Sequence, residues 1–236
     1  AQYWGKGEPA EIRKVLSIVY RISVCISLLF SLGALCCPEI IMSIFTNDAE
    51  VIAAGCRYLT VIGWVYPLYA LGNNTIMLLR AVGTVRISLV VYSTSFVVNA
   101  FFNWVFIFGN LGAPRLEIQG AALATAIARV VEFLIVAWFL FRREHKIQFR
   151  LHDLRRFDRV MFGAFVRAAT PIIFNDMIWA IGNSMITIIM GRMGKEFVAA
   201  NSINSVVMQF ASVALMGTSS AAAAIIGNTI GAGEYD

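Results

Sequence analysis

The sequence predicts an all-α integral membrane protein: six transmembrane helices that form part of a twelve-helix, two-lobe molecule. Three observations carry this expectation. Hydrophobic residues make up 59% of the 236 and charged residues only 14%, against about 25% charged in an ordinary soluble domain; mean hydropathy is +0.74. Six apolar runs reach the roughly 20 residues that a helix needs to cross hydrocarbon. Finally, the opening phrase AQYWGKGE returns near the other end as GNTIGAGE. With Gln2 set over Asn228, Gly5, Gly7 and Glu8 fall on Gly231, Gly233 and Glu234 at one constant offset.

The spans fall at about 15–37, 51–79, 87–108, 118–141, 160–190 and 197–226. The last two are long enough to require tilt, a kink or an end outside the hydrocarbon. None alternates polar and apolar residues as a barrel strand would. In the second span Pro67 loosens the helix ahead of Asn73 and Asn74. The one long connection, FRREHKIQFRLHDLRRFDRVMFGAF, joins spans four and five. There Asp153 is placed to cap a helix in which Leu154, Phe157, Val160 and Met161 share a face, with Arg155, Arg156 and Arg159 pointing elsewhere. The segment reads as an interfacial helix on anionic lipid. A solvated basic loop fits nearly as well. His145 and His152, without acidic or cysteine neighbours, read as loop residues.

Basic residues set the orientation. One set of connections holds Lys6, Arg13, Lys14, Arg21, Arg80, Arg86 and the eight basic residues from Arg142 to Arg167, whereas the alternate set holds only Arg115, Arg192 and Lys195. Lys and Arg are retained in the cytoplasm, so the loops at 1–14, 80–86 and 142–159 are expected there, in a multi-pass protein of the cell membrane. Six spans return the chain to the face it left. The two copies of the phrase therefore describe parallel halves related by an axis along the membrane normal. The expected division is a first-lobe part at 1–142, a cytoplasmic linker at 143–159 and a second-lobe part at 160–236, an interior stretch of a longer chain.

Polar residues within spans carry the functional information, because each costs free energy in hydrocarbon unless paired or facing a cavity. Arg129 and Glu132 stand i, i+3 on one helical face and can neutralise each other as a structural ion pair. Asn99 and Asn103 share a face at i, i+4. Such amides either bond helix to helix or line a polar chamber; both readings stand. In TPIIFNDMIWAIGNSM, Asp176 has no basic residue within a turn. An acid in that setting is a candidate for taking a proton or holding a cation, the alternative being a base on another helix. Pro171 frees a carbonyl one turn earlier and lets the helix bend. Asn175 precedes the acid, and Trp179 and Asn183 continue its stripe.

Several function classes are excluded. GRMGKEF lacks the spacing of a phosphate loop, and GKGEPA lacks the third glycine of a dinucleotide motif. No catalytic triad, carboxylate pair or metal-ligand spacing is evident, so neither an enzyme nor a cofactor is expected. Cys25, Cys36, Cys37 and Cys56 read as packing residues. The net charge of +5 lacks the aromatic-basic interleaving of a nucleic-acid surface.

AQYWGKGE, LLRAVGT with Arg80 and Gly83, VNAFFNWVFIFGNLGAPRLEIQGAALATAIAR, TPIIFNDMIWAIG and GNTIGAGE occur in this order. Together they resemble the multidrug and toxic compound extrusion (MATE) transporters, over essentially the whole chain. The resemblance implies two six-helix lobes around a cleft, alternating access, and export of cationic or amphipathic compounds against Na⁺ or H⁺ entry. It places Asn99 and Thr125 at positions near a first-lobe cation site, with Asn103 where some members have Asp. Asp176 becomes the coupling acid, five residues after Pro171 and about a turn earlier than in many members. Asn73, Asn99, Asn103, Thr125, Asn175, Trp179 and Asn183 become the cleft lining. The expected partners are small organic substrates and membrane lipid, with the protein a monomer. A lipid-linked oligosaccharide flippase is the nearest alternative, although only Arg129 supplies a basic residue to the cavity. A receptor or scaffold without transport is the alternative from another class.

Overall fold

The chain enters its first long helix through a proline. Pro9 lacks the N–H that a first turn leaves unbonded in any case, and it opens α2 (Pro9–Cys36) after the four-residue α1 (Gln2–Gly5). The computed structural model describes residues 1–155 and 158–233. Pro38 repeats the device and starts a separate short helix, α3 (Pro38–Phe45), that the apolar pattern does not signal. Asp48 caps α4 (Ala49–Ile62), its carboxylate accepting from the N–H groups of Glu50 and Val51. A 3-10 turn at Gly63–Val65 breaks the second span, and α5 (Tyr66–Ala81) resumes with Pro67 in its first turn. There follow α6 (Arg86–Phe108), α7 (Glu117–Arg142), α8 (Arg159–Met193) and α9 (Lys195–Ala232). No strand occurs among the described residues. Six stretches are long and apolar enough to cross a membrane, α4 and α5 together making the second.

The helix α7 forms the middle of the bundle made by the first four spans, packing on α4, α5 and α6. Its alanines make that possible: Ala122, Ala124, Ala126 and Ala128 are buried. A Cβ added at Gly120 would lie 2.7 Å from the Phe106 carbonyl oxygen of α6. Small residues let helix backbones approach where large ones would hold them apart. Large apolar side chains such as Leu29, Leu89 and Val97 are exposed on the outside of the bundle, as a hydrocarbon solvent requires.

The connection after α7 departs from both readings made from its sequence. It is neither an interfacial helix nor a solvated loop. The Glu144 carboxylate accepts hydrogen bonds from three successive backbone N–H groups, Lys146 at 2.7 Å, Ile147 at 2.8 Å and Gln148 at 3.1 Å. That hook turns Ile147 and Phe149 into a core with Ile12, Leu16 and Tyr20, and Leu154 packs on the same cluster. Arg13 donates to the Ile147 carbonyl, Arg21 to that of Leu154, and the Ser17 hydroxyl to that of Asp153. Residues 151–155 form a 3-10 turn, in which Asp153 accepts the Arg150 N–H rather than capping a helix. The cap of α8 is Asp158, which accepts from Val160 and Met161. Arg156 and Phe157, assigned to the expected helix, lie outside the described residues. The apolar side chains drive the difference: folded on the bundle they bury more surface than one helical stripe against lipid would offer.

The helices α8 and α9 stand largely apart from this bundle. At its start α8 meets α2 and α1, through Lys14 to Asp158 at 3.4 Å and the Tyr3 hydroxyl to the Met161 sulfur at 3.7 Å. Near its end, a Cβ on Gly191 would lie 2.6 Å from the Phe45 carbonyl oxygen of α3. Between these contacts residues 171–183 are all exposed. The helix continues unbroken through Pro171. The last turn of α9 returns to α1. Both copies of the repeated phrase thus lie on one face, together with Gly83 and the hooked connection; Lys146 donates to the Val82 carbonyl and sits 5.6 Å from the Trp4 ring. Glu234, which completes the second copy, lies outside the described residues.

Candidate functional site

The polar side chains of α5, α6 and α7 converge on one chamber of about 370 Å³, lined by Tyr69, Asn73, Tyr92, Ser95, Asn99 and Arg129 among others. The helical repeat explains the convergence. Tyr92, Ser95, Asn99 and Asn103 recur every three or four residues on α6, and Tyr69 and Asn73 do the same on α5. Thr125 and Arg129 face them from α7.

The charged centre is built in layers. Arg129 donates to Glu132 at 2.6 Å, and the Ser95 hydroxyl gives the same carboxylate oxygen a second hydrogen bond at 3.3 Å. On its other side the guanidinium lies 4.9 Å from the centroid of the Tyr69 ring. Aromatic faces attract cations, so this one side chain is held by an acid on its own helix and a ring on α5. The carboxylate is 2% exposed and the guanidinium side chain 33% exposed. The acid is therefore the foundation and the base is the surface of the chamber.

Next to this pair runs an amide ladder. The Asn103 amide donates to the Asn99 carbonyl oxygen at 2.9 Å, the Asn99 amide to the Thr125 hydroxyl at 3.3 Å, and that hydroxyl to the Ala121 carbonyl at 2.9 Å. The side-chain oxygen of Asn103 is buried and has no partner among the described residues. A buried acceptor left open is uncommon in folded proteins, and here it marks a place that can receive a donor. A second cavity of about 450 Å³ lies between α2 and α5; it shares Tyr69 and Asn73 with the chamber and adds Ser23 and Asn74. The Asn74 amide donates to the Ser23 hydroxyl at 2.7 Å.

The structure thus brings together Asn73, Asn99, Asn103, Thr125, Arg129 and Glu132 from the expected set. It keeps Asn175, Asp176, Trp179 and Asn183 apart from them: all four are exposed on α8, and the Asn183 amide bonds back to the Trp179 carbonyl at 2.8 Å. Tyr69, Tyr92 and Ser95 were not anticipated. Their signal was present in the spacing, since Ser95 and Tyr92 precede Asn99 by four and seven residues on the same helical face. Among the described residues no group of three or more acidic, histidine or cysteine side chains is arranged to hold a metal ion.

Comparison with known proteins agrees with this architecture. The chain is 29% identical over 248 residues to the probable multidrug resistance protein NorM of Rhizobium meliloti (strain 1021), covering 99% of this chain and 50% of that protein. It is 25% identical over 208 residues to the probable multidrug resistance protein YoeA of Bacillus subtilis (strain 168), covering 84% of this chain and 45% of the other. The chain therefore spans about half the length of the curated relatives it matches. Among solved structures, its fold is similar to that of a multidrug resistance MATE family transporter of the MOP superfamily in an outward-facing conformation. The TM-score is 0.83 at 18% identity, over 99% of this chain and 51% of that one. A sequence model of the MatE family matches residues 1–105 and 171–236, which together take in both copies of the repeated phrase and most of the spanning helices: the chain belongs to the MatE family, whose members are multi-pass membrane proteins.

Proposed function

We propose that this chain forms part of a secondary antiporter that exports small cationic or amphipathic compounds in exchange for Na⁺ or H⁺ by alternating access. The observation that carries the reading is the chamber within a spanning bundle, where a buried carboxylate, an aromatic face and an amide ladder converge. An organic cation is attracted to aromatic faces, and Tyr69 and Tyr92 bring such rings to the chamber wall, while Glu132 beneath it balances the charge of Arg129. An amphipathic body needs apolar wall, which Phe30 and Ile26 contribute to the adjoining cavity. The neutralised Arg129 speaks against a flippase for anionic lipid-linked sugars, whose cavity needs unpaired basic residues. In this reading the protein works as a monomer in the cell membrane, in contact with lipid, with the loops at 1–14, 80–86 and 142–159 in the cytoplasm.

Coupling falls on Asp176. An ion drives export only when its binding changes the preference between two states. A carboxylate on the exposed stretch of α8, five residues beyond Pro171, is suited to favour a hydrated or cation-filled cleft when ionised and a packed one when neutral. In the transporter reconstituted in proteoliposomes, Asp176→Asn is expected to abolish efflux driven by an imposed Na⁺ or H⁺ gradient while leaving expression and insertion nearly intact. Asn99→Ala is expected to raise KM for ethidium several-fold with a smaller change in kcat. A full gradient response in Asp176→Asn would remove Asp176 from the coupling role.

A further inference from the structure

The two copies of the repeated phrase touch each other, and they do so symmetrically. A Cβ on Gly5 would run into the Asn228 carbonyl oxygen and come within 2.9 Å of the Ala232 backbone nitrogen. A Cβ on Gly231 would run into the Gln2 carbonyl oxygen and come within 2.9 Å of the Gln2 Cα. Gly231 is the counterpart of Gly5, and Gln2 is the counterpart of Asn228, so each glycine receives the carbonyl that its own counterpart's copy presents. This reciprocal pattern is what a two-fold axis generates. The local backbone obeys it too. The Gly7 N–H bonds the Trp4 carbonyl at 3.0 Å and the Gly233 N–H bonds that of Ile230 at 3.2 Å, at the same offset. Gly7 and Gly233 both adopt left-handed φ, +72° and +82°, a conformation that glycine takes without strain.

The contact is close but poorly secured. It is made by backbone against backbone at Gly5 and Gly231, and by the Ala1 methyl group against Gly227. The side-chain oxygen of Asn228 is buried there without a hydrogen-bond partner among the described residues. Leaving that acceptor open costs free energy that separation and hydration would return.

The seam also sits at the end of a string of cavities. One of about 240 Å³ begins at Ala1 and Tyr3 and reaches Asn74 along α2 and α5. Asn74 lines the next cavity as well, which shares Asn73 and Tyr69 with the polar chamber. The Arg80 guanidinium, donating to the Ser220 hydroxyl at 2.6 Å, ties α5 to α9 beside this route.

We propose that the two copies of the phrase form a two-fold, glycine-lined seam that closes the chamber toward the face bearing Gly83, and that parts when the chamber opens to that face. The inference extends the transport reading to the element that shuts one end of the route. It is tested with two readouts, neither of which needs a drug or an ion gradient.

In the transporter carrying this chain, with Cys25, Cys36, Cys37 and Cys56 replaced by Ala, the pair Ala1→Cys and Gly227→Cys is oxidised in membranes. A Cβ on Gly227 would stand 2.6 Å from that of Ala1, so a disulfide is expected after a small adjustment. Gly5→Leu and Gly231→Leu are each expected to slow cross-linking at least tenfold. Gly163→Leu, at an α8 position with nothing within 4 Å, is expected to leave the rate unchanged and controls for folding. Separately, a thiol at position 73 is labelled with an impermeant reagent applied from the side that labels a thiol at position 152. Gly5→Leu and Gly231→Leu are expected to raise that rate at least tenfold over the parent and over Gly163→Leu. Unchanged cross-linking would show that no seam exists; unchanged labelling of position 73 would show that the seam does not close the chamber.

Discussion

Arg129 and Glu132 make one ion pair from two very different positions, and the difference predicts which partner matters more. The carboxylate is almost fully buried, whereas the guanidinium opens onto the chamber. Removing the base strands a buried acid with only the Ser95 hydroxyl, and an unpaired buried charge costs about 3 kcal/mol or more. Removing the acid leaves a base that can still reach water and the Tyr69 ring, which costs about 1 kcal/mol. Arg129→Gln is therefore expected to lower the unfolding midpoint in detergent clearly more than Glu132→Gln. Equal shifts would place the two charges in equivalent surroundings. The pair itself was legible from its i, i+3 spacing, and so was the proximity of Asn99, Asn103 and Thr125 through the resemblance. The contact that Tyr69 makes with Arg129 was not. Tyr69 lies on another helix, and one sequence carries no information about which face of α5 turns toward α7.

At the scale of elements, the start of α8 carries a pH dependence. Asp158 accepts hydrogen bonds from the Met161 and Val160 N–H groups and faces Lys14, and the Met161 bond foremost holds its carboxyl below the ordinary value of 3.8. A depressed folded pKa means that the cap contributes stability above 3.8 and loses it as pH falls through the lower folded value. Hydrogen exchange in the first turn of α8 should therefore stay slow at neutral pH and quicken only in acid below that range. Asp158→Ala should show the fast exchange already at neutral pH. The breaks at Pro9, Pro38 and Pro67 follow rules readable in any sequence, though α3 escapes notice because its apolar residues simply continue the run before it. Asp153 caps no helix within the connection, because its carboxylate takes the Arg150 N–H instead, and the aspartate that does cap a helix, Asp158, opens α8. Only the hook made by Glu144 decides which aspartate is free to serve α8.

For the whole molecule, six spans and a basic bias give a sidedness that can be read directly. Single thiols at the exposed positions Asn47, Pro114 and His152, in a background without the four native cysteines, should react with an impermeant reagent on intact cells at the first two only. Labelling of position 152 before permeabilisation would invert the orientation. The number and order of the spans were legible because hydrocarbon leaves the backbone no other way across. The standing of α8 and α9 apart from the first bundle was not, since both are as apolar as the helices that pack. The hook at Glu144 has a practical consequence for engineering. The longest connection in a membrane protein is the usual place to splice in a soluble fusion partner or an epitope. Here that splice would pull Ile147 and Phe149 out of their core and release three N–H groups from one carboxylate. The short turn at Gly112 on the opposite face, with open space around it, is the better point of insertion despite offering fewer residues.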